Sequence, residues 1–107
     1  MDFKSKKCKP CEGGTKPMTK RQAAKYMKFA EGWKLSGNKI YKEMKFKDFK
    51  KTIGFANKVA AIAEKEGHHP DIYLHDWNRI RLTSTTHAIK GLSINDFILA
   101  AKINAIK

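Results

Sequence analysis

All four histidines of the chain, His68, His69, His75 and His87, fall within one 20-residue window. An imidazole with an unperturbed pKa of about 6.5 gives or takes a proton near neutrality, which no other side chain here does without a large shift. The cluster therefore points to general acid and base chemistry. Glu64 lies four residues before His68, one turn back on the same helix face if the helix persists that far. There a carboxylate can orient an imidazole or raise its proton affinity, against the alternative of a solvated charge at a helix end. His75, just before Asp76 and Trp77, reads as a surface or packing residue.

Other chemistries find less support. The side chains of adjacent His68 and His69 diverge, and the His-x-x-x-His spacing of helical zinc sites is missing, which argues against a metal at the histidines. Cys8 and Cys11 form one Cys-x-x-Cys with no second pair and no βαβ context, so they read as reduced cysteines without assigned chemistry. Neither a Gly-x-Ser-x-Gly nucleophile elbow nor a Gly-x-Gly-x-x-Gly phosphate loop occurs.

Elements of definite type must carry these residues. Thr19 with Gln22 makes a capping box, and Ala23, Tyr26, Met27 and Ala30 follow at helical spacing until Gly32. Trp33 to Leu35 and Ile40 to Phe46 alternate around a Ser36-Gly37-Asn38 turn, the pattern of a hairpin. Phe46, Phe49, Ile53, Ala56, Ala60 and Ala63 then set out an apolar stripe along a long helix to about Glu66. Gly67 suits a left-handed C-cap and Pro70 forbids continuation, which places His68 and His69 just past the helix. Asp71 to His75 and Trp77 to Thr85 read as a second strand pair, with His87 where it ends. Gly91-Leu92 makes a turn, and Ser93 with Asp96 forms the capping box of a last helix whose stripe is Ile94, Phe97, Ile98, Ala101 and Ala105. The expected fold is α+β, in the order α-β-β-α-β-β-α, with a four-stranded antiparallel sheet covered by three helices on one face.

With 107 residues, 41% hydrophobic and 31% charged, the chain has the size and composition of one folded domain. Residues 1–18, with Pro10, Gly13, Gly14 and Pro17, lack apolar periodicity and read as a flexible N-terminal segment before a domain over 19–107. No window approaches the roughly 18 consecutive apolar residues of a membrane helix, and no apolar stretch near Met1 resembles a signal peptide, so a cytoplasmic protein is expected. The net charge of +13 attracts phosphates and nucleic acids. The basic residues are nevertheless scattered from Lys4 to Lys107, and read as a solvated surface ahead of a nucleic-acid footprint. Trp33, Tyr41, Phe46 and Trp77 fall on predicted strands or their ends, where core packing is favoured over base stacking.

Taken together, Glu64-x-x-x-His68-His69-Pro70, Trp77, Thr85-Thr86-His87, Gly91-Leu92-Ser93 and Asp96 resemble the signature of the pterin-4a-carbinolamine dehydratases, over about residues 19–107. One extra residue between Pro70 and Trp77 departs from the commonest family spacing. The resemblance implies dehydration of a 4a-hydroxytetrahydropterin to a quinonoid dihydropterin, in tetrahydrobiopterin recycling after an aromatic amino acid hydroxylase. It implies no cofactor, and a homodimer or homotetramer. His68, His69 and His87 become the proton-transfer set, Glu64 a supporting carboxylate, Thr85 and Thr86 anchors for the pterin ring edge, and Trp77 mostly packing or a pocket wall. The alternative is a non-catalytic binding protein, either a transcription-factor dimerisation cofactor, by family analogy, or a nucleic-acid binder.

Overall fold

The computed structural model of the protein describes residues 3–8 and 16–106. Helix α1 spans Lys20–Tyr26 and runs into a 3-10 turn, Met27–Phe29. Strands β1 (Lys34–Ser36) and β2 (Lys39–Lys45) form the first hairpin, and helix α2 covers Phe49–Glu66. Strands β3 (Asp71–His75) and β4 (Arg79–Ser84) form the second hairpin, followed by a 3-10 turn, His87–Ile89, and helix α3 (Ile94–Asn104). The order is the expected α-β-β-α-β-β-α.

All strand pairs are antiparallel, and the sheet order is β1-β2-β4-β3. The last strand in sequence thus inserts beside β2, and β3 becomes an edge. Ile40, Ile80 and Leu82 point from the sheet to the helices and are fully buried against Val59 of α2 and Phe97, Leu99 and Ile103 of α3. Burying side chains of this size contributes about 1.5–3 kcal/mol each, so α3, buried along most of its length, is the keel of the core.

Local signals set the ends. Thr19 and Ser93 close the two predicted capping boxes, and Asp48 caps α2 through Lys51 N–H at 2.7 Å. Gly67 ends α2 at φ +66°, the left-handed conformation glycine adopts without steric cost. Gly91 serves a different purpose from the expected turn. Lys90 takes the left-handed position at φ +55°, while a Cβ on Gly91 would meet Pro17 at 2.5 Å.

Two features differ from the sequence reading. Helix α2 buries Thr52, Val59, Ala63 and Glu66, while Phe49 (53% exposed) and Ile53 (39%) of the expected core stripe face outward. Two apolar stripes run along this helix, and periodicity alone cannot say which one the sheet takes. Of the segment 1–18, residues 1, 2 and 9–15, including Cys11, lie outside the described residues. The remainder is docked: Phe3 is buried and stacks on Phe29 at 4.0 Å, and Met18 N–H donates to Leu92 O at 2.8 Å. One aromatic anchor on a three-residue turn carries no periodicity to detect.

Candidate active site

The site begins where α2 stops. Because Gly67 turns left-handed, His68 leaves the helix and does not lie over Glu64 as an i, i+4 partner would. Its ring turns inward to α3, where Nε2 sits 2.7 Å from Asp96 Oδ1. Glu64 pairs with His69 instead, Oε1 to Nε2 at 2.7 Å, in a contact whose side chains are 78% and 61% exposed.

Asp96 has no solvent exposure and is ringed by donors. Oδ1 accepts from Ser84 Oγ at 2.6 Å as well as facing His68; Oδ2 accepts from Thr86 Oγ1 at 2.8 Å and from Ser93 N–H at 3.0 Å. A second relay runs in, since Asn95 N–H donates to Ser93 Oγ at 3.2 Å, and Ser93 Oγ lies 2.7 Å from Thr86 Oγ1. A carboxylate out of water is tolerable only when its lone pairs are filled in this way. One side chain thus caps α3, ties β4 to it and holds His68.

The arrangement sets the histidine's chemistry. An acceptor carboxylate at Nε2 places the imidazole hydrogen there, which leaves Nδ1 as the basic nitrogen of the neutral ring. A buried aspartate fixing one nitrogen so that the other can work is the orienting role seen beside catalytic imidazoles in general.

The remaining predicted residues are placed differently. His87 opens the 3-10 turn with an exposed ring that makes no hydrogen bond or ion pair among the described residues. The Thr86 hydroxyl is buried and bound to Asp96 and Ser93, and that of Thr85 donates to Asn38 O at 2.7 Å, so both expected anchoring hydroxyls are engaged within the fold. Trp77 is not a packing residue. It is 59% exposed and sits with Asp76 at positive φ (56° and 50°) in the β3–β4 turn, so β4 starts two residues later than expected. His75 stacks on Tyr73 and faces Asp76 Oδ2 at 3.1 Å, away from the other histidines' partners.

Ser84 and Ser93 join the site through Asp96 and Thr86, although nothing in their own sequence positions marks them as site residues. Their signal is indirect: an Asp three residues after a helix-capping Ser is ordinary, and only its complete burial demands further donors. Among the described residues no cluster of His, Cys, Asp and Glu could hold a metal.

Comparison with known proteins fits this geometry. A family model described as pterin 4 alpha carbinolamine dehydratase matches residues 16–106. A Nitrosomonas eutropha relative bearing the dehydratase name is 45% identical over 106 residues, covering 98% of this chain and 93% of its own. The mitochondrial pterin-4-alpha-carbinolamine dehydratase 2 of Arabidopsis thaliana is 42% identical, over 99% of this chain and 59% of its own. A crystal structure from Brucella melitensis, described as a transcriptional coactivator/pterin dehydratase, superposes with a TM-score of 0.77 at 32% identity, over 83% of this chain and 96% of that one. A pterin dehydratase-like protein described as a RuBisCO assembly factor in the alpha-carboxysome shares the fold alone, with a TM-score of 0.60 at 22% identity over 72% of this chain and 90% of that one. By the family match and these identities, the chain belongs to the pterin 4 alpha carbinolamine dehydratase family.

Proposed function

We propose that this protein dehydrates a 4a-hydroxytetrahydropterin to a quinonoid dihydropterin and water, with its histidines as the proton carriers. The observation that carries the reading is the His68–Asp96 pair, an imidazole held by a fully buried aspartate inside the segment that bears the family resemblance. The reaction expels the 4a-hydroxyl as water and removes the proton on ring nitrogen N5, so it calls for an acid at one position and a base or relay at the other. His68 exchanges its proton through Nδ1. His69, with Glu64 behind it, and the exposed His87 complete the set. The place of the reaction is the recycling of tetrahydropterin cofactor after an aromatic amino acid hydroxylase.

The same proposal includes a homo-oligomer. Phe49 and Ile53 form an outward apolar stripe on α2, and Ile72 (39% exposed) is also uncovered, on the edge strand β3. Large exposed apolar groups of this kind mark surfaces that pair.

The test is the rate at which the purified protein accelerates loss of freshly generated 4a-hydroxytetrahydropterin. His68→Ala and His87→Ala are each expected to lower it by roughly 100-fold or more, the usual contribution of a positioned acid or base. Wild-type rates in both folded variants would remove the histidine mechanism, and no acceleration by the wild type would leave the fold as a binding scaffold.

A further inference from the structure

The two faces of the sheet differ sharply. Ile80, Leu82 and Ser84 of β4 turn to the helices and are buried, which leaves Arg79, Arg81 and Thr83 on the opposite face. The register puts Tyr41, Glu43 and Lys45 of β2, and Asp71, Tyr73 and His75 of β3, on that same uncovered face.

One row across it is unusual. Lys45, Arg79 and His75 are directly opposed on β2, β4 and β3. Adjacent strands lie only about 4.8 Å apart, and like charges directly opposite one another destabilise a sheet. In the next row Glu43 answers Arg81 with an ion pair of 2.6 Å. Among the described residues neither Lys45 nor Arg79 has such a partner. These two line a shallow cavity of about 240 Å³ together with His75, Met44, Ile80 and Glu43, whose carboxylate is tied to Arg81.

Beside the cavity stands Tyr73, 60% exposed, its ring stacked on His75 at 4.8 Å with an interplanar angle of 14°. Further cations, Lys34 and Lys39, stand on the same face beyond the Glu43–Arg81 pair, with Asp71 the other strand carboxylate there, so the face offers more than one position for phosphate. We propose that this face binds single-stranded nucleic acid, with backbone phosphate at Lys45 and Arg79 and a base stacked on Tyr73. The complementarity is of charge, in a protein of net charge +13, and of shape, since an exposed ring can take a base only if that base is free of its own stack. This excludes a duplex as the intended ligand. The site is separate from His68 and Asp96, which lie under the helix-covered face beside Ser84, the far end of β4 from Arg79. It does not rest on the dehydratase reading.

The experiment is fluorescence anisotropy of a short labelled oligouridine titrated with the full chain at several salt concentrations. Lys45→Glu places a carboxylate opposite Arg79 and completes a cross-strand pair, so the fold is kept while the row is neutralised. Lys20→Glu, on exposed α1, makes the same change in net charge elsewhere. Lys45→Glu is expected to weaken binding by roughly tenfold and to flatten the salt dependence, and Lys20→Glu to change it by less than about twofold. Tyr73→Ala is expected to cost roughly tenfold on the oligouridine and nothing on a duplex of equal length. Equal losses from the two charge variants, an indifferent Tyr73→Ala, or no binding by the wild type would each overturn the proposal. Circular dichroism of every variant shows that the loss is not unfolding; should Lys45→Glu unfold, Lys45→Gln takes its place with the same expected direction.

Discussion

Asp96 shows how much one buried carboxylate can organise. Both of its oxygens face two donors, so replacing either oxygen by an amide group puts donor against donor. At Oδ2 the opposing Ser93 N–H cannot turn away, whereas at Oδ1 the Ser84 hydroxyl can rotate and His68 can move its hydrogen to Nδ1. Asp96→Asn should therefore place its amide at the His68 side, lose about 1–3 kcal/mol of stability and reverse the His68 tautomer. Nitrogen-15 spectra of the histidines read the tautomer directly, beside the turnover rate. An unchanged tautomer with lost turnover would mean that Asp96 acts on His68 by charge alone. The His69–Glu64 pair is a different kind of contact: exposed on both sides, it contributes at most about 1 kcal/mol to the fold and leaves His69 able to reorient.

At the scale of elements, the last turn of α2 is a junction. Glu66 is buried there and accepts Cys8 N–H at 2.9 Å, while Lys102 of α3 approaches its other oxygen at 3.5 Å. Burial by itself raises the carboxyl's proton affinity, but the Cys8 N–H and the Lys102 ammonium outweigh it and hold the pKa below the usual glutamate range. The unfolded chain, with an ordinary Glu near about 4.3, then binds the proton more readily than the native state. The stability this gives is complete above that value and is lost as pH falls through the lower native one. Thermal denaturation across the acid range should show wild type more stable than Glu66→Gln near neutrality, with the gap narrowing once the pH drops below about 4.3. A gap that widens in acid would contradict the assignment. Through Cys8 the same junction fixes the N-terminal segment beside the turn that carries His68.

Over the whole molecule, what stays uncovered is as informative as the core. Helix α2 turns Phe49 and Ile53 out, and the sheet presents a basic and aromatic face. If α2 pairs with a second copy, Phe49→Lys should lower the mass found by sedimentation equilibrium while the helical content by circular dichroism stays the same. A wild type that sediments as a monomer would end the oligomer proposal at once. Once the strands are registered, Lys34, Lys39 and Lys45 fall with Arg79 and Arg81 on the uncovered side of the sheet, whereas lysines such as Lys20, Lys50 and Lys65 lie on helices. Register, not composition, makes that distinction.

The elements and their ends are written locally along the chain. Apolar period, two capping boxes and the Gly67 stop are local in origin, so the α-β-β-α-β-β-α order and the clustering of His68, His69 and His87 near Asp96 in the chain were readable without a structure. Packing alone sets the strand order, which stripe of α2 enters the core, the place of Phe3, and above all the exchange of partners in which His68 takes Asp96 and Glu64 takes His69. The physical reason is the same throughout. Each of these is a choice between alternatives with nearly equal local energy, and it is settled by burial against groups far away in sequence.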